Sequence, residues 1–217
     1  MNNYYYHFLT FHTGGKYREA AKRLSNSLRR FGIKLNVIRI PDQGAWNKNT
    51  NCKAEILYSW YLENQKPFII LDADCVVHKE PLLFQNRITD VAHMYCKKKS
   101  FYISTGVCAF DYNDKVKTLL ECWKMYSSYA RERYPDNLQL WKSDLALKRA
   151  WRNPLVTRSG IQKKELPKTY GKPYWVEWEN IKTKDIVISC NERCTLYEDG
   201  LYCQSRKRKD FNGVEPI

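Results

Sequence analysis

The sequence predicts a single α/β domain with a mixed, mostly parallel central sheet flanked by helices. Strand-like runs alternate with helical patterns over residues 4–150, an order typical of sheets whose strands are joined by crossover helices. Within this region, Phe68-Ile69-Ile70-Leu71 is a run of large apolar residues without polar alternation. Such a run indicates a strand that is buried on both faces, as strands in parallel sheets are.

The N-terminal part predicts a strand, a loop and a helix. Residues 4–11 are mostly aromatic and apolar, and residues 12–15 follow as a glycine-containing loop. Apolar residues then recur at helical spacing from Lys16 to Phe31, and Gly32 ends the helix. The same patterns predict the strands Ile33–Ile40, Thr89–Tyr95, Phe101–Phe110 and Asp185–Cys190, and the helices Cys52–Gln65, Asp114–Arg133 with Asn113 as its cap, and one that starts at Ser143.

Length and composition fit one domain. With 217 residues and 43% hydrophobic content, the chain can bury a full core. We expect this domain to span residues 1–204 and a basic polar tail to span residues 205–217. The sequence has neither an apolar run of about 18 residues nor a secretory leader pattern, so we expect a cytoplasmic protein. In that compartment its eight cysteines are expected to be free thiols.

The chain is strongly basic. Its formal net charge of +14 and pI of about 9.4 exceed what solubility requires and indicate an anionic partner. Six basic residues lie on the exposed face of the first predicted helix: Lys16, Arg18, Lys22, Arg23, Arg29 and Arg30. This face is either simply solvated, or a contact surface for an anionic acceptor or a membrane.

Two acidic residues interrupt the apolar run after Leu71. If the strand continues to Asp74, its period of two places Asp72 and Asp74 on one face, with their α-carbons roughly 6–7 Å apart. Two carboxylates so close repel each other, and a hard divalent cation such as Mg²⁺ or Mn²⁺ removes that conflict. The alternative is an ordinary polar turn after a strand.

The segment Asp72-Ala73-Asp74, with Pro81-Leu82-Leu83-Phe84 after it, resembles the DxD segment of GT-A-fold glycosyltransferases, in particular small viral and bacterial members. The resemblance covers about residues 4–150. It implies a GT-A, Rossmann-like domain that transfers a hexosyl or pentosyl group from a nucleotide-diphospho-sugar to an acceptor hydroxyl. A UDP-sugar is the expected donor, and Mn²⁺ or Mg²⁺ is the expected cofactor.

The resemblance also implies roles for single residues. Asp74 is the expected direct metal ligand, and Asp72 is expected to bind the ribose hydroxyls or a metal-bound water. Lys53 matches a helix-borne lysine that the family has before the DxD strand. Its charge would act on a phosphate or on Asp72, and the alternative is an ordinary lysine on the helix surface.

Further site residues are expected in two loops and a strand. In nucleotide-binding sheets the loops after the first strands hold the base and ribose, which makes Thr10, His12 and Thr13 candidates for the nucleotide side, although a packed or surface histidine is the alternative for His12. The segment Ser104-Thr105-Gly106 matches the part of the family that lines the sugar and acceptor pocket. A glycine inside a strand also marks a bulge or a ligand close to the backbone.

The base and the third metal ligand are less well defined. Asp144 matches an active-site aspartate of the family, although Leu145 stands where the family has glutamine, and Asp144 could instead cap its helix. Asp111 is a weaker candidate for the base. The family commonly supplies a late histidine ligand, but this chain has none beyond His93, which leaves Cys190, Asn191 or water. Zinc bound by Cys190, Cys194 and Cys203 is a further alternative.

The acceptor is the least constrained part of the prediction. The basic charge fits DNA that carries a hydroxymethylated pyrimidine, as in viral genome modification in the host cytoplasm, and we favour this acceptor because the charge is spread along the chain. It also fits a lipid-linked or surface glycan at an anionic membrane. A non-catalytic nucleic-acid-binding protein is an alternative of another class, but it would leave Asp72 and Asp74 without a purpose.

Overall fold

A computed structural model of the chain describes residues 4–97, 100–133, 143–173, 185–190, 194–197 and 200–203. Its strands are β1 His7–His12, β2 Leu35–Arg39, β3 Phe68–Leu71, β4 Cys75–Val77, β5 Val91–Lys97, β6 Ser100–Phe110, β7 Lys163–Glu165, β8 Tyr170–Pro173, β9 Ile188–Cys190, β10 Cys194–Tyr197 and β11 Gly200–Cys203. Its helices are α1 Gly15–Arg29, α2 Trp46–Asn51, α3 Lys53–Asn64, α4 Asp114–Arg133, α5 Ser143–Trp151 and α6 Pro154–Arg158, with a 3-10 turn at Leu82–Gln85.

Six strands form the main sheet, in the order β2-β1-β3-β6-β5-β7. Strand β1 pairs in parallel with both β2 and β3, and β5 pairs in parallel with β7. Strand β6 runs antiparallel to its neighbours β3 and β5. Three of these five pairings are parallel, so the mixed, mostly parallel sheet predicted from the sequence is confirmed.

Apolar layers cover both faces of this sheet. Side chains alternate along β3, so that Phe68 and Ile70 belong to one buried cluster and Ile69 and Leu71 to another. The first cluster also contains apolar residues of α3, α4 and α5, and the second contains Leu24 and Leu28 of α1. The four residues of β3 are buried, as the unbroken apolar run predicted.

The connections create a switch point beside β1. From β1 the chain passes through α1 to β2 on one side, and from β2 it passes through α2 and α3 to β3 on the other side. Loops that leave β1 and β3 at their carboxyl ends therefore diverge to opposite sides. In open α/β sheets a crevice forms at such a point and is the usual place for a ligand.

The structure differs from the prediction where β3 ends. The strand stops at Leu71, and the amide of Cys75 donates to the carbonyl of Asp72 at 2.9 Å, which closes a turn over Asp72-Ala73-Asp74. Strand β4 then joins a second sheet, of order β4-β9-β8. The expectation of two aspartates on one face of a continuous strand is therefore wrong. The chain leaves the main sheet before Asp72 and joins the second sheet after Asp74, so both aspartates lie in the turn.

Helix α4 follows its predicted bounds. It spans Asp114–Arg133, and the side-chain oxygen of Asn113 accepts a hydrogen bond from the amide of Val116 at 3.1 Å, as the predicted cap requires. The helical region before β3 begins earlier than predicted, at Trp46 rather than Cys52. Cys52 has helical dihedral angles and joins α2 to α3.

Five cysteines in the described part of the chain are free thiols: Cys52, Cys75, Cys108, Cys122 and Cys190. Three of them, Cys75, Cys108 and Cys122, are buried in the core as small apolar residues. Among the described helices, none is long and apolar enough to cross a membrane. The predicted tail, residues 205–217, and Asn191 lie outside the described residues.

His93 on β5 makes the stability of the fold depend on pH. Its side chain is 1% exposed, and burial, with a smaller effect of Lys163, lowers its pKa to about 4. The unfolded chain binds this proton near pH 6.5, so between these values the unfolded state binds more protons and stability falls as the pH falls. At pH 5 this one residue is expected to cost about 2 kcal/mol relative to pH 7.

We expect His93→Gln to lose less stability than the wild-type protein on going from pH 7 to pH 5, because glutamine does not titrate. Urea unfolding of both proteins at the two pH values measures the difference. Between pH 7 and pH 8 the two proteins should show the same slope, which serves as the control. An equal loss in both proteins on acidification would contradict the assignment to His93.

Candidate active site

A cleft of about 110 Å³ opens at the carboxyl ends of β1 and β3, at the switch point of the sheet. Its walls come from the end of β1, the start of α1, the α2–α3 region and the turn after β3. The lining residues are Phe11, His12, Thr13, Tyr17, Trp46, Asn49, Thr50, Lys53, Asp72, Ala73 and Asp74. Five of the residues predicted from the sequence therefore meet in this cleft: His12, Thr13, Lys53, Asp72 and Asp74.

Lys53 is the buried cation of the site. Its side chain is 2% exposed, and its ammonium group donates to Oδ1 of Asp72 at 2.5 Å, to the carbonyl oxygen of Thr105 at 3.0 Å and to Oγ1 of Thr105 at 3.2 Å. Desolvation lowers the pKa of Lys53, but Asp72 and then Asp144 raise it above its usual value, so the group stays charged.

These contacts bear on the two interpretations of Lys53, a lysine whose charge acts on a phosphate or on Asp72, and an ordinary lysine on the helix surface. A residue this buried is not an ordinary surface lysine. An ammonium group has three hydrogens, and three acceptors of the protein already receive them. The structure therefore shows Lys53 in contact with Asp72, one of the two groups on which its charge was expected to act.

The Asp72-Ala73-Asp74 turn presents two carboxylates to the cleft. Both aspartates are half-buried and line it. The main chain of Asp72 is fixed on both sides, because its amide donates to the carbonyl of Gly106 at 2.8 Å and its carbonyl accepts from Cys75. The side chain of Asp72 is fixed by Lys53, so this carboxylate has a defined orientation.

Gly106 lies directly beside Asp72. A Cβ atom at this position would lie 3.3 Å from Oδ2 of Asp72 and 3.5 Å from both Sγ of Cys190 and Oγ of Ser104. The hydroxyl of Ser104 accepts from the amide of Gly106 at 3.3 Å. Glycine therefore leaves room for the carboxylate, which a Cβ atom would contact closely.

Thr105 connects Lys53 to Asp144. Its hydroxyl accepts from Lys53 and donates to Oδ1 of Asp144 at 2.5 Å. Asp144 is half-buried in the first turn of α5 and does not line the cleft directly. The structure thus brings the candidate base to within two hydrogen bonds of Lys53, which itself lines the cleft.

Cys190 also lies beside Gly106, near the Asp72 carboxylate. Its Sγ atom accepts from the thiol of Cys75 at 3.2 Å, in an antiparallel pairing of β4 with β9. The hydrogen bond from Cys75 lowers the pKa of Cys190, but desolvation and the nearby Asp74 and Asp72 raise it overall. The thiol is therefore neutral near pH 7, which does not favour it as a ligand for a hard cation.

His12 is nearly buried at the end of β1. Its Nδ1 atom accepts from the amide of Gly14 at 3.1 Å, so the proton of the neutral ring is on Nε2. Burial, then Arg39 and Arg18, lower its pKa, so the ring is neutral at pH 7. Arg39 and Arg18 affect His12, which lines the cleft, so both arginines lie near this end of β1.

The three remaining candidates, Thr13, Thr10 and Asp111, lie in different places. Thr13 lines the cleft, but Thr10 is fully buried in β1 and does not line it. Asp111 follows β6 at the end of the sheet away from the cleft, where it accepts from Arg87 at 2.6 Å and from Tyr5 at 2.7 Å. This position removes Asp111 from the site, and the geometry does not favour it as the base.

The carboxylates fit a divalent cation. Asp72, Asp74 and Asp144 carry three negative charges when ionised, and Lys53 offsets one, which leaves a net charge of −2. The described residues contain no group of three or more histidine, cysteine, aspartate or glutamate side chains that could hold a metal. Hard cations such as Mg²⁺ and Mn²⁺ are often held by one or two carboxylates, with water and substrate phosphates in the other positions.

Sequence reasoning missed several residues of the cleft, among them Phe11 and Tyr17. One signal in the sequence points to part of this cleft. Four lining residues of α2 and α3 recur at intervals of three, one and three positions, a spacing that places them on one face of a helix: Trp46, Asn49, Thr50 and Lys53. Trp46 is 59% exposed, which places a large aromatic surface at the mouth of the cleft.

Comparisons with known proteins identify the class of fold. No family model matches the chain, and no curated protein matches it. Among solved structures, the chain is similar to a glycosyltransferase involved in the glycosylation of the major capsid of PBCV-1, with a TM-score of 0.54 and 11% sequence identity. The match covers 84% of this chain and 90% of that chain. This likeness shows a glycosyltransferase fold and confirms the predicted fold class.

We expect Gly106→Val to lower turnover of a nucleotide-sugar by about 100-fold, because the new side chain displaces the Asp72 carboxylate and misplaced groups cost rate of this order. Gly106→Ala should have a smaller effect, since its single Cβ atom meets Asp72 at 3.3 Å. Steady-state kinetics of both variants show whether Gly106→Val loses more turnover than Gly106→Ala. Unchanged circular dichroism is the control for folding, and normal turnover by Gly106→Val would contradict the assignment.

Proposed function

We propose that this protein is a metal-dependent glycosyltransferase that moves a sugar from a nucleotide-diphospho-sugar to an acceptor hydroxyl. One observation carries the proposal: the two carboxylates of the Asp72-Ala73-Asp74 turn face a cleft at the switch point of the sheet, and a buried lysine orients one of them. The glycosyltransferase fold of the structural neighbour supports it. Fold alone does not fix chemistry, so the site is the main argument.

The donor is proposed to be a UDP-sugar. Three aromatic side chains, Phe11, Tyr17 and Trp46, line the cleft and suit the flat face of a base. Asp74 is proposed as the direct ligand of Mn²⁺ or Mg²⁺, and Asp72 as the group that binds the ribose hydroxyls or a metal-bound water. The bound cation would neutralise the negative charge that develops on the diphosphate as it leaves.

The transfer step needs a place for one proton. The acceptor oxygen forms a bond to the anomeric carbon, the bond from that carbon to the diphosphate oxygen breaks, and its electron pair leaves with the diphosphate. Asp144 is proposed to accept the proton of the acceptor hydroxyl. It accepts a hydrogen bond from Thr105, whose hydroxyl accepts from Lys53 of the cleft lining.

The acceptor is proposed to be DNA that carries a hydroxymethylated pyrimidine, and the reaction is proposed to take place in the cytoplasm, in the host cell if the protein is viral. Five of the basic residues named above lie in α1 and the sixth, Arg30, is its C-cap, and all six are exposed. Lys16, Arg23 and Arg30 follow at intervals of seven, as do Lys22 and Arg29, so they form two rows along the helix, roughly 120° apart around its axis. Such rows suit the regularly spaced phosphates of a duplex.

Two other acceptors remain as outcomes of the test. A lipid-linked or surface glycan at an anionic membrane would use the same basic residues. A neutral glycan on a protein would not use them, and protein glycosylation is one of these outcomes because the similar glycosyltransferase is involved in the glycosylation of the major capsid of PBCV-1. A non-catalytic nucleic-acid-binding protein is disfavoured, because it gives no reason to orient a carboxylate with a buried lysine.

Asp74→Asn is expected to abolish the enhancement of UDP binding by Mn²⁺, because it removes one ligand charge without changing volume. Calorimetry of UDP binding with and without Mn²⁺ measures this. Asp114→Asn is the matched control, since Asp114 is exposed at the start of α4, beyond the end of β6 that points away from the cleft. If Asp74→Asn keeps the enhancement, Asp74 is not the ligand.

The combined variant Lys22→Gln, Arg23→Gln and Arg29→Gln should weaken binding to duplex DNA of any sequence. Each phosphate contact contributes about −0.9 to the slope of log affinity against log salt, so the slope should flatten by up to about 2.7. Hydrolysis of the UDP-sugar should change little. Filter binding over a range of salt concentrations, on duplexes with and without hydroxymethylated pyrimidines, measures both affinity and slope.

A second triple variant is the matched control: Arg152→Gln, Arg158→Gln and Lys164→Gln, three exposed basic residues near α6 and β7. It removes the same charge, and its salt slope should stay close to that of the wild-type protein. Binding to anionic vesicles but not to DNA would reject DNA in favour of a membrane glycan. Binding to neither would favour a neutral glycan acceptor.

A further inference from the structure

Thr105 occupies a bulge in β6. His93 of β5 pairs with Cys108, but the next residue, Met94, pairs with Ser104. Residues 105–107 therefore have no partner on β5 and form an irregularity in the middle of the strand. Bulges change the direction in which a side chain points and are common next to active sites.

The bulge aims a buried hydroxyl at two charged groups. Thr105 is 5% exposed, so its side chain is nearly closed off from the cleft. Its Oγ1 atom is 3.2 Å from Nζ of Lys53 and 2.5 Å from Oδ1 of Asp144. This burial argues against direct contact of the Thr105 hydroxyl with a sugar, the role that the sequence resemblance implied.

The direction of both hydrogen bonds is determined by chemistry. An ammonium group only donates, so Thr105 must accept from Lys53. The single hydroxyl hydrogen is then available for Asp144, whose ionised carboxylate only accepts. One fixed series of donors and acceptors therefore runs from Asp72 through Lys53 and Thr105 to Asp144.

We propose that Thr105 is a positioning residue that holds the Asp144 carboxylate in the orientation needed to take the proton of the acceptor. This inference rests on the proposed function of Asp144. Lys53 contacts the donor-side carboxylate, Asp72, directly, and is linked by hydrogen bonds to the acceptor-side carboxylate, Asp144, through the Thr105 hydroxyl. Without that hydroxyl, Lys53 still has Asp72 and the carbonyl oxygen of Thr105 as acceptors, so we expect donor binding to change less than the transfer step.

The kinetic test compares two substitutions of Thr105. Valine has nearly the same shape but no hydroxyl, whereas serine keeps the hydroxyl and loses a methyl group. We expect Thr105→Val to lower kcat at least about tenfold, within the range of general-base effects, with KM for the UDP-sugar within about twofold of the wild-type value. Thr105→Ser should keep at least about a third of kcat. A structural role alone would not produce this difference between kcat and KM, nor its rescue by serine.

Thr157→Val is the matched control. Its hydroxyl donates to the carbonyl of Pro154 on the exposed helix α6, so kcat should not change. An unchanged kcat in Thr105→Val, or a raised KM with kcat unchanged, would overturn the proposal.

A second measurement does not need activity. Thermal unfolding of Thr105→Val, Asp144→Ala and the double variant forms a cycle that reports the contact between the two side chains. If Thr105 holds Asp144, the loss of Tm in the double variant is smaller than the sum of the two single losses, and additive losses overturn the proposal. Wild-type protein that turns over no nucleotide-sugar would reject the proposed function, while the cycle still decides whether the two side chains are coupled.

Discussion

The contact between the buried Lys53 ammonium group and Asp72 is the interaction on which the rest of the site depends. An ammonium group removed from water is tolerated only when acceptors surround it, and this one has the Asp72 carboxylate and two oxygens of Thr105. The Asp72 side chain is 38% exposed, so solvent screens the pair, but removing Asp72 would leave a buried ammonium group without its anionic acceptor. The fold therefore has a strong energetic reason to keep α3, the turn after β3 and the β6 bulge together.

Three irregularities of the backbone meet at this contact. Strand β3 ends before Asp72, α2 joins α3 just before Lys53, and β6 has its bulge at residues 105–107. Each of them departs from ideal geometry next to regular, buried structure. Departures of this kind are tolerated where they place functional groups, and here they place two carboxylates and a lysine around one cleft.

The distribution of charge separates two tasks. Asp72 and Asp74 line the cleft, Lys53 contacts Asp72, and Asp144 is linked to Lys53 through Thr105 without lining the cleft. Carboxylates of this kind are typical ligands of a divalent cation. Helix α1 is strongly basic and exposed, which is typical of a surface for a large anionic partner. Under the proposed function, the acidic residues would serve the cation and the basic residues the acceptor.

The sequence by itself determined the α/β class, the buried strand before Asp72, the course of α4 and the candidates Asp72 and Asp74, because these follow from local periodicity, composition and a short motif, while Lys53 became a candidate through the family resemblance. Only the tertiary structure decided that Asp72 and Asp74 occupy a turn between two sheets, that Lys53 contacts Asp72, that Asp144 is linked to Lys53 through Thr105, and that Asp111 lies at the other end of β6. Their common physical reason is distance along the chain. Packing of α3 and α5 against the sheet and its turns brings together residues that are 19 to 52 positions apart, and no local pattern records which buried donor will meet which acceptor.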